Sequence, residues 1–211
     1  MKKYATEFIG TFCLVLTICL AVLTKQAMAP LAIGCSLMIM VYMGGHVSGA
    51  HYNPAVSLAV FLRGKLDTAD LIPYLAAQIV GALAACFTAH FITGKTFQIA
   101  PGGEFNAVQA VVVELLYTFA LALVVLNVAT AKKTEGNSYY GLAIGFTVVV
   151  AAFAGGSISG GAFNPAVGIG ITVAHAVLGG GSWAHLWIYL VGPLAGGALA
   201  AIVFKMQEPG S

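Results

Sequence analysis

Gly-Gly-His-Val-Ser-Gly-Ala-His-Tyr-Asn-Pro-Ala-Val, residues 44–56, is answered later in the chain by Gly-Gly-Ser-Ile-Ser-Gly-Gly-Ala-Phe-Asn-Pro-Ala-Val, residues 155–167. Eight of the thirteen positions are identical, at an offset of 111 residues. Each copy follows a long apolar run and leads into a shorter one, 56–62 and 167–178. Asn-Pro at the mouth of an apolar run reads as a helix start. Proline is tolerated in the first turn, where its missing N–H costs nothing, and asparagine before it favours a cap. Asn53-Pro54-Ala55 and Asn164-Pro165-Ala166 are therefore two repeat-related helix starts.

Composition places these helices in a bilayer. The chain is 60% apolar and 8% charged, against roughly 25% charged residues in a soluble domain, so it has too few charges to cover a water-facing surface. A formal net charge of +2 gives no basis for nucleic-acid binding. Cys13, Cys19, Cys35 and Cys86 lie inside apolar runs, without metal-ligand spacing, and read as small buried hydrophobes. No His-x-x-x-His pair occurs, so neither a metal nor a cofactor is expected. Ser48 and Ser159 each precede a glycine and read as turn residues. No constellation supports an enzyme.

Six spans follow from the pattern, at residues 5–23, 29–43, 71–92, 108–129, 140–153 and 183–204, since about 20 apolar residues cross the hydrocarbon core. The runs at 56–62 and 167–178 read as re-entrant half-helices, with each box as the non-helical backbone before them. Such backbone is tolerated at membrane depth only where protein buries it or a water-filled cavity receives it. The repeat extends beyond the boxes. Glu7-Phe8-Ile9-Gly10-Thr11-Phe12 matches Glu114-Leu115-Leu116-Tyr117-Thr118-Phe119, and Tyr74-Leu75 matches Tyr189-Leu190. The chain is thus one all-α membrane domain of two repeats, 1–106 and 107–211. With three spans per repeat the second is inverted, which puts a site at the midplane. Lys2, Lys3, Arg63, Lys65, Lys132, Lys133 and Lys205 fall on one side and only Lys25 and Lys95 on the other, so both termini are expected in the cytoplasm. Gly81, Gly196 and Gly197 suit close helix crossings. Trp183, Trp187 and Tyr189 read as an interfacial belt. Two half-helices entering from opposite faces would meet N-terminus to N-terminus, setting a positive electrostatic hill at the centre, with Asn53 and Asn164 presenting amide N–H groups to a lumen. That arrangement opposes cations.

The paired Asn-Pro-Ala boxes, the six-span inverted repeat and the lead-in Gly-His-x-Ser-Gly-x-His-x-Asn-Pro-Ala-Val resemble the aquaporin, or major intrinsic protein, family over nearly the whole chain. The resemblance implies a passive channel in each subunit of a homotetramer. It implies that Glu7 and Glu114 are structural, bonded to the re-entrant loops, and that His46 and His51 support the first loop by hydrogen bonding. It places a second filter at Ile33, Ala152, Gly161 and Val167. Water-selective members usually have an aromatic, a His, a small residue and an Arg there, and this chain departs from that pattern. Val167 resembles some plant tonoplast-type members. The implied constriction is wide and apolar, passing water and small neutral solutes such as hydrogen peroxide, ammonia and urea. Glycerol is disfavoured by Gly168, where the glycerol branch usually has Asp, and by the missing aromatics.

Three other readings remain open: a channel for a neutral solute other than water, an ion-coupled secondary transporter, and a structural or adhesion protein with a closed pore. The transporter would need a titratable or cation-binding cluster at the midplane, and Glu7 and Glu114 are the only acids within the spans. Compact loops suggest a microbial plasma (inner) membrane.

Overall fold

The computed structural model describes residues 1–208, which form eight α-helices. Six are long and apolar enough to span: α1 (Lys2–Leu23), α2 (Ala29–Ser48), α4 (Thr68–Thr93), α5 (Ala107–Ala129), α6 (Tyr140–Ser159) and α8 (Ile188–Gln207). At about 1.5 Å per residue even the 20-residue helices reach ~30 Å, the thickness of the hydrocarbon core. The two others, α3 (Pro54–Leu62) and α7 (Pro165–Leu178), have nine and 14 residues. They reach only about 14 and 21 Å, too short to cross. Isoleucine, valine and phenylalanine side chains such as Ile39, Ile72, Phe91, Val150 and Ile202 are exposed on the outside of the bundle, where lipid is the solvent.

The helices run further than the hydrophobic pattern suggests. The second and fifth spans were expected to end at residues 43 and 153, with the boxes wholly irregular. Instead α2 continues through Gly44–Ser48 and α6 through Gly155–Ser159, leaving only residues 49–53 and 160–164 non-helical. The glycine pairs do not break these helices because large side chains occupy the space a Cβ would take, Tyr52 beside Gly44 and Tyr117 beside Gly155. The helices stop one turn later at Gly49 and Gly160, both left-handed caps. The half-helices start two residues earlier than their apolar runs, at the prolines. In each, the preceding Asn is extended and its side chain accepts from the N–H of Ala55 or Ala166. The last span is also displaced. Residue 183 is a bend and residues 184–187 are turns, and α8 starts at Ile188. Trp183 and Trp187 are exposed, whereas Tyr189 is fully buried and belongs to no interfacial belt. Residues 205–207 end α8, and residues 209–211 lie outside the described residues.

Repeat-related seams hold the bundle. α1 and α4 run parallel in register, tied by the contacts of Lys3 and Tyr4 with Asp70 at one end and of Cys19 with Cys86 at the other. A Cβ on Gly81 of α4 would stand 2.6 Å from the Phe8 carbonyl oxygen, and one on Gly196 of α8 would stand 2.4 Å from that of Leu115. The α1–α4 and α5–α8 seams therefore use the same small-residue contact. α2 and α6 cross where Gly34 and Gly145 face each other, each blocking a Cβ on the other at 2.5 Å from its carbonyl oxygen.

Gly196→Ala is expected to cost roughly 2–3 kcal/mol by overpacking against backbone, read as a lowered thermal midpoint of the detergent-solubilised protein. Gly103→Ala meets nothing within 4 Å and should stay within about 0.5 kcal/mol of the parent.

Candidate functional site

The site begins with two acids that would be costly anywhere else in a membrane. Glu7 of α1 is fully buried. Its Oε1 accepts from the Ser48 hydroxyl at 2.7 Å and the His51 N–H at 3.0 Å, and its Oε2 from the Tyr52 N–H at 2.7 Å and the Gln78 amide at 2.8 Å. Glu114 of α5 repeats the pattern. Its Oε1 accepts from the Ser159 hydroxyl at 2.7 Å and the Ala162 N–H at 3.0 Å, and its Oε2 from the Phe163 N–H at 2.6 Å. The carboxylates thus satisfy the loop N–H groups that no helix can. The loops need this support, since Ala50, Tyr52 and Phe163 all have φ between 50 and 53°, a region unfavourable for residues with a Cβ. Two tyrosines complete the scaffold. Tyr74 donates to the Ser48 carbonyl at 2.7 Å and Tyr189 to the Ser159 carbonyl at 2.6 Å.

Held this way, the two loops meet. Asn53 Nδ2 donates to the Phe163 carbonyl and Asn164 Nδ2 to the Tyr52 carbonyl, each at 2.9 Å. Each Asn oxygen caps its own half-helix, at 2.9 Å from the N–H of Ala55 or Ala166. Pro54, Ala55, Pro165 and Ala166 are buried in the first turns beneath. An amide nitrogen has two N–H donors, so one remains on each Asn, and both residues line the lumen.

Ile33 of α2, Ala152 of α6, Gly161 in the second loop and Val167 of α7 line that same lumen. None carries a charge or a side-chain hydrogen-bonding group. Gly161 sits at φ 71°, so a larger residue there would be strained. On the side of the chain termini the lumen gives way to a vestibule of about 790 Å³, lined by Lys3, Lys65 and Lys132 as well as Asp67, Asp70 and Glu135. His51 lines both spaces.

The two halves differ in one polar cluster. In the first, Gln78 donates to both Glu7 and Ser57, and Ser57 lies 3.1 Å from His51 Nδ1. The repeat-related positions are Pro193, Gly168 and Ala162. His46, expected beside His51 as loop support, is instead in the last turn of α2, exposed to the vestibule. It makes no side-chain hydrogen bond among the described residues. Gln78, Ser57 and the two tyrosines escape a motif search because they lie outside the boxes. The paired Tyr-Leu starts at 74 and 189 are the one signal that marks any of them.

Two facing half-helices inside six spans, with a lumen between them, form a membrane channel. The chain belongs to the major intrinsic protein family, whose model matches residues 1–204. It is 35% identical to "Glycerol uptake facilitator protein-like 6" of Lactiplantibacillus plantarum, over 98% of both chains. It is 34% identical to "Aquaporin TIP2-1" of Arabidopsis thaliana, over 100% of this chain and 89% of that one. The X-ray structure of the aquaglyceroporin from Plasmodium falciparum has the same fold, with a TM-score of 0.87 over 97% of this chain and 95% of that chain at 21% identity.

Glu114→Gln replaces an acceptor oxygen by an NH₂ that faces the loop donors. Losing charge-assisted bonds worth about 1.5–3 kcal/mol each, it should sharply lower the thermal midpoint and the folded yield from membranes. Glu104→Gln, at an exposed site, should leave both unchanged.

Proposed function

We propose that this chain is a passive channel for water and small neutral solutes, hydrogen peroxide, ammonia and urea among them, and that it excludes ions. The observation that carries this reading is the lumen itself. Two amide N–H donors stand at its centre, and Ile33, Ala152, Gly161 and Val167 form an apolar, uncharged wall beside them. Water gains hydrogen bonds from Asn53 and Asn164 as it passes. A cation meets the positive ends of α3 and α7 and amides that offer only protons. With no arginine at Val167, exclusion rests on that central field, and the filter excludes little by size. Among the described residues no acid lines the lumen, and the oxygens of Glu7 and Glu114 are filled by the loops, which counts against an ion-coupled transporter.

Both termini are assigned to the cytoplasm. Lys3, Lys65 and Lys132 share one vestibule, and Lys133 pairs with Glu208 at 2.9 Å, so the basic residues gather on the face of the termini, in keeping with the positive-inside rule. A homotetramer in a plasma (inner) membrane completes the proposal, from the family resemblance. Glycerol is the alternative solute, since one relative carries it in its name; Gly168 and the lack of aromatics in the wall favour smaller solutes.

Stopped-flow light scattering on proteoliposomes separates these readings. Sucrose should cause fast shrinkage and urea fast shrinkage followed by prompt re-swelling, with glycerol re-swelling slower than urea. Val167→Arg should cut urea flux by about tenfold, the equivalent of ~1.4 kcal/mol of barrier, and water flux by much less. Shrinkage in sucrose no faster than in protein-free liposomes would contradict the water reading.

A further inference from the structure

Cys19 and Cys86 stand side by side, Sγ to Sγ 3.6 Å, near the C-terminal ends of α1 and α4. Their placement is fixed by rigid backbone. The Lys3–Asp70 and Cys19–Cys86 contacts both join residues 67 apart, as in-register parallel helices require, and the seam between them closes to backbone contact at Gly81. The sulfurs are already in van der Waals contact. They need to close by only ~1.5 Å to reach bonding distance, within the range of side-chain torsion. Among the described residues neither Cys13 nor Cys35 has a thiol neighbour, and both are half-buried.

The pair is buried, Cys19 at 3% and Cys86 at 5% exposure, with one narrow approach. Both thiols line a narrow cleft on the face opposite the termini, bounded by Leu23, Lys95, Thr96 and Ala174, with about 10 Å³ of free room, the scale of a single water-sized molecule.

We infer that Cys19 and Cys86 form an oxidisable dithiol, which hydrogen peroxide, small enough to enter as the cleft widens, converts to a disulfide joining α1 to α4. One thiolate attacks a peroxide oxygen. The O–O bond breaks, leaving a sulfenic acid, and the hydroxide released takes a proton to become water. The second sulfur then attacks the sulfenic sulfur, the S–S bond forms, the S–O bond breaks, and a second water leaves. Two thiols lose two electrons in all, and the peroxide is reduced to two waters. Ile171 and Ala174 of α7 share the cleft, so the bond fixes the bed on which the second half-helix rests. None of this depends on which solute the pore carries.

The test is thiol counting on the full chain in proteoliposomes, before and after hydrogen peroxide, with alkylation under denaturing conditions and intact-mass analysis. Alkylated cysteines should fall from four to two, with a loss of two hydrogens. A peptide pair should link Cys19 to Cys86, and dithiothreitol should restore all four. The oxidised protein should melt at a higher temperature than the reduced one, a shift absent in Cys19→Ser and in Cys86→Ser. Four alkylated thiols after a dose that fully oxidises free glutathione would overturn the inference. So would a link to Cys13 or Cys35, or sulfinic acid at either residue in place of the disulfide.

Discussion

Everything at the centre of this protein depends on two carboxylates placed where a membrane least favours them. Glu7 and Glu114 accept from consecutive backbone N–H groups in loops that cannot satisfy themselves. The bonds are charge-assisted and enclosed, worth about 1.5–3 kcal/mol each. They outweigh left-handed backbone at Tyr52 and Phe163 that costs on the order of 1–3 kcal/mol per residue. Once the loops are held, the carbonyls of Tyr52 and Phe163 meet the amide of the opposite Asn. The tips of two half-helices that never cross the bilayer are thereby joined at its centre. Remove the acids and the loop N–H groups, the Asn contacts and the alignment of α3 with α7 all lose their reason.

The halves share this scaffold and differ in what they add to it. The first adds Gln78, Ser57 and His51, a polar cluster reaching the vestibule. The second has Pro193, Gly168 and Ala162 at the related positions and presents Gly161 and Val167 to the lumen. Each repeat thus supplies one Asn to a shared centre. Polarity is biased toward the face of the termini and the apolar wall toward the second loop.

The inverted repeat was legible in the sequence because each Asn-Pro-Ala box is a local device, a proline at N1 behind a capping Asn, that works wherever it occurs. The four wall positions were placed through the same boxes and lie around one lumen with Asn53 and Asn164. Helix ends were less legible. Gly44-Gly45 and Gly155-Gly156 look like breakers, yet the helices continue because Tyr52 and Tyr117 fill the space beside them, and tertiary packing of that kind leaves no local signal. Tyr189 looked like an interfacial aromatic because it follows two tryptophans, although its hydroxyl serves the buried Ser159 carbonyl. His46 shares a motif with His51, but α2 ends between them at Gly49, leaving His46 exposed on the helix and His51 buried in the loop against Ser57.

The central claim is that joined helix tips and paired amides pass water while refusing charge. The most direct measurement follows osmotic shrinkage and the fluorescence of an entrapped pH dye in the same proteoliposomes, under an osmotic gradient and then a pH gradient. Water permeability should rise with protein density while the rate of proton entry stays that of protein-free liposomes. Proton entry rising in step with water permeability would contradict the account.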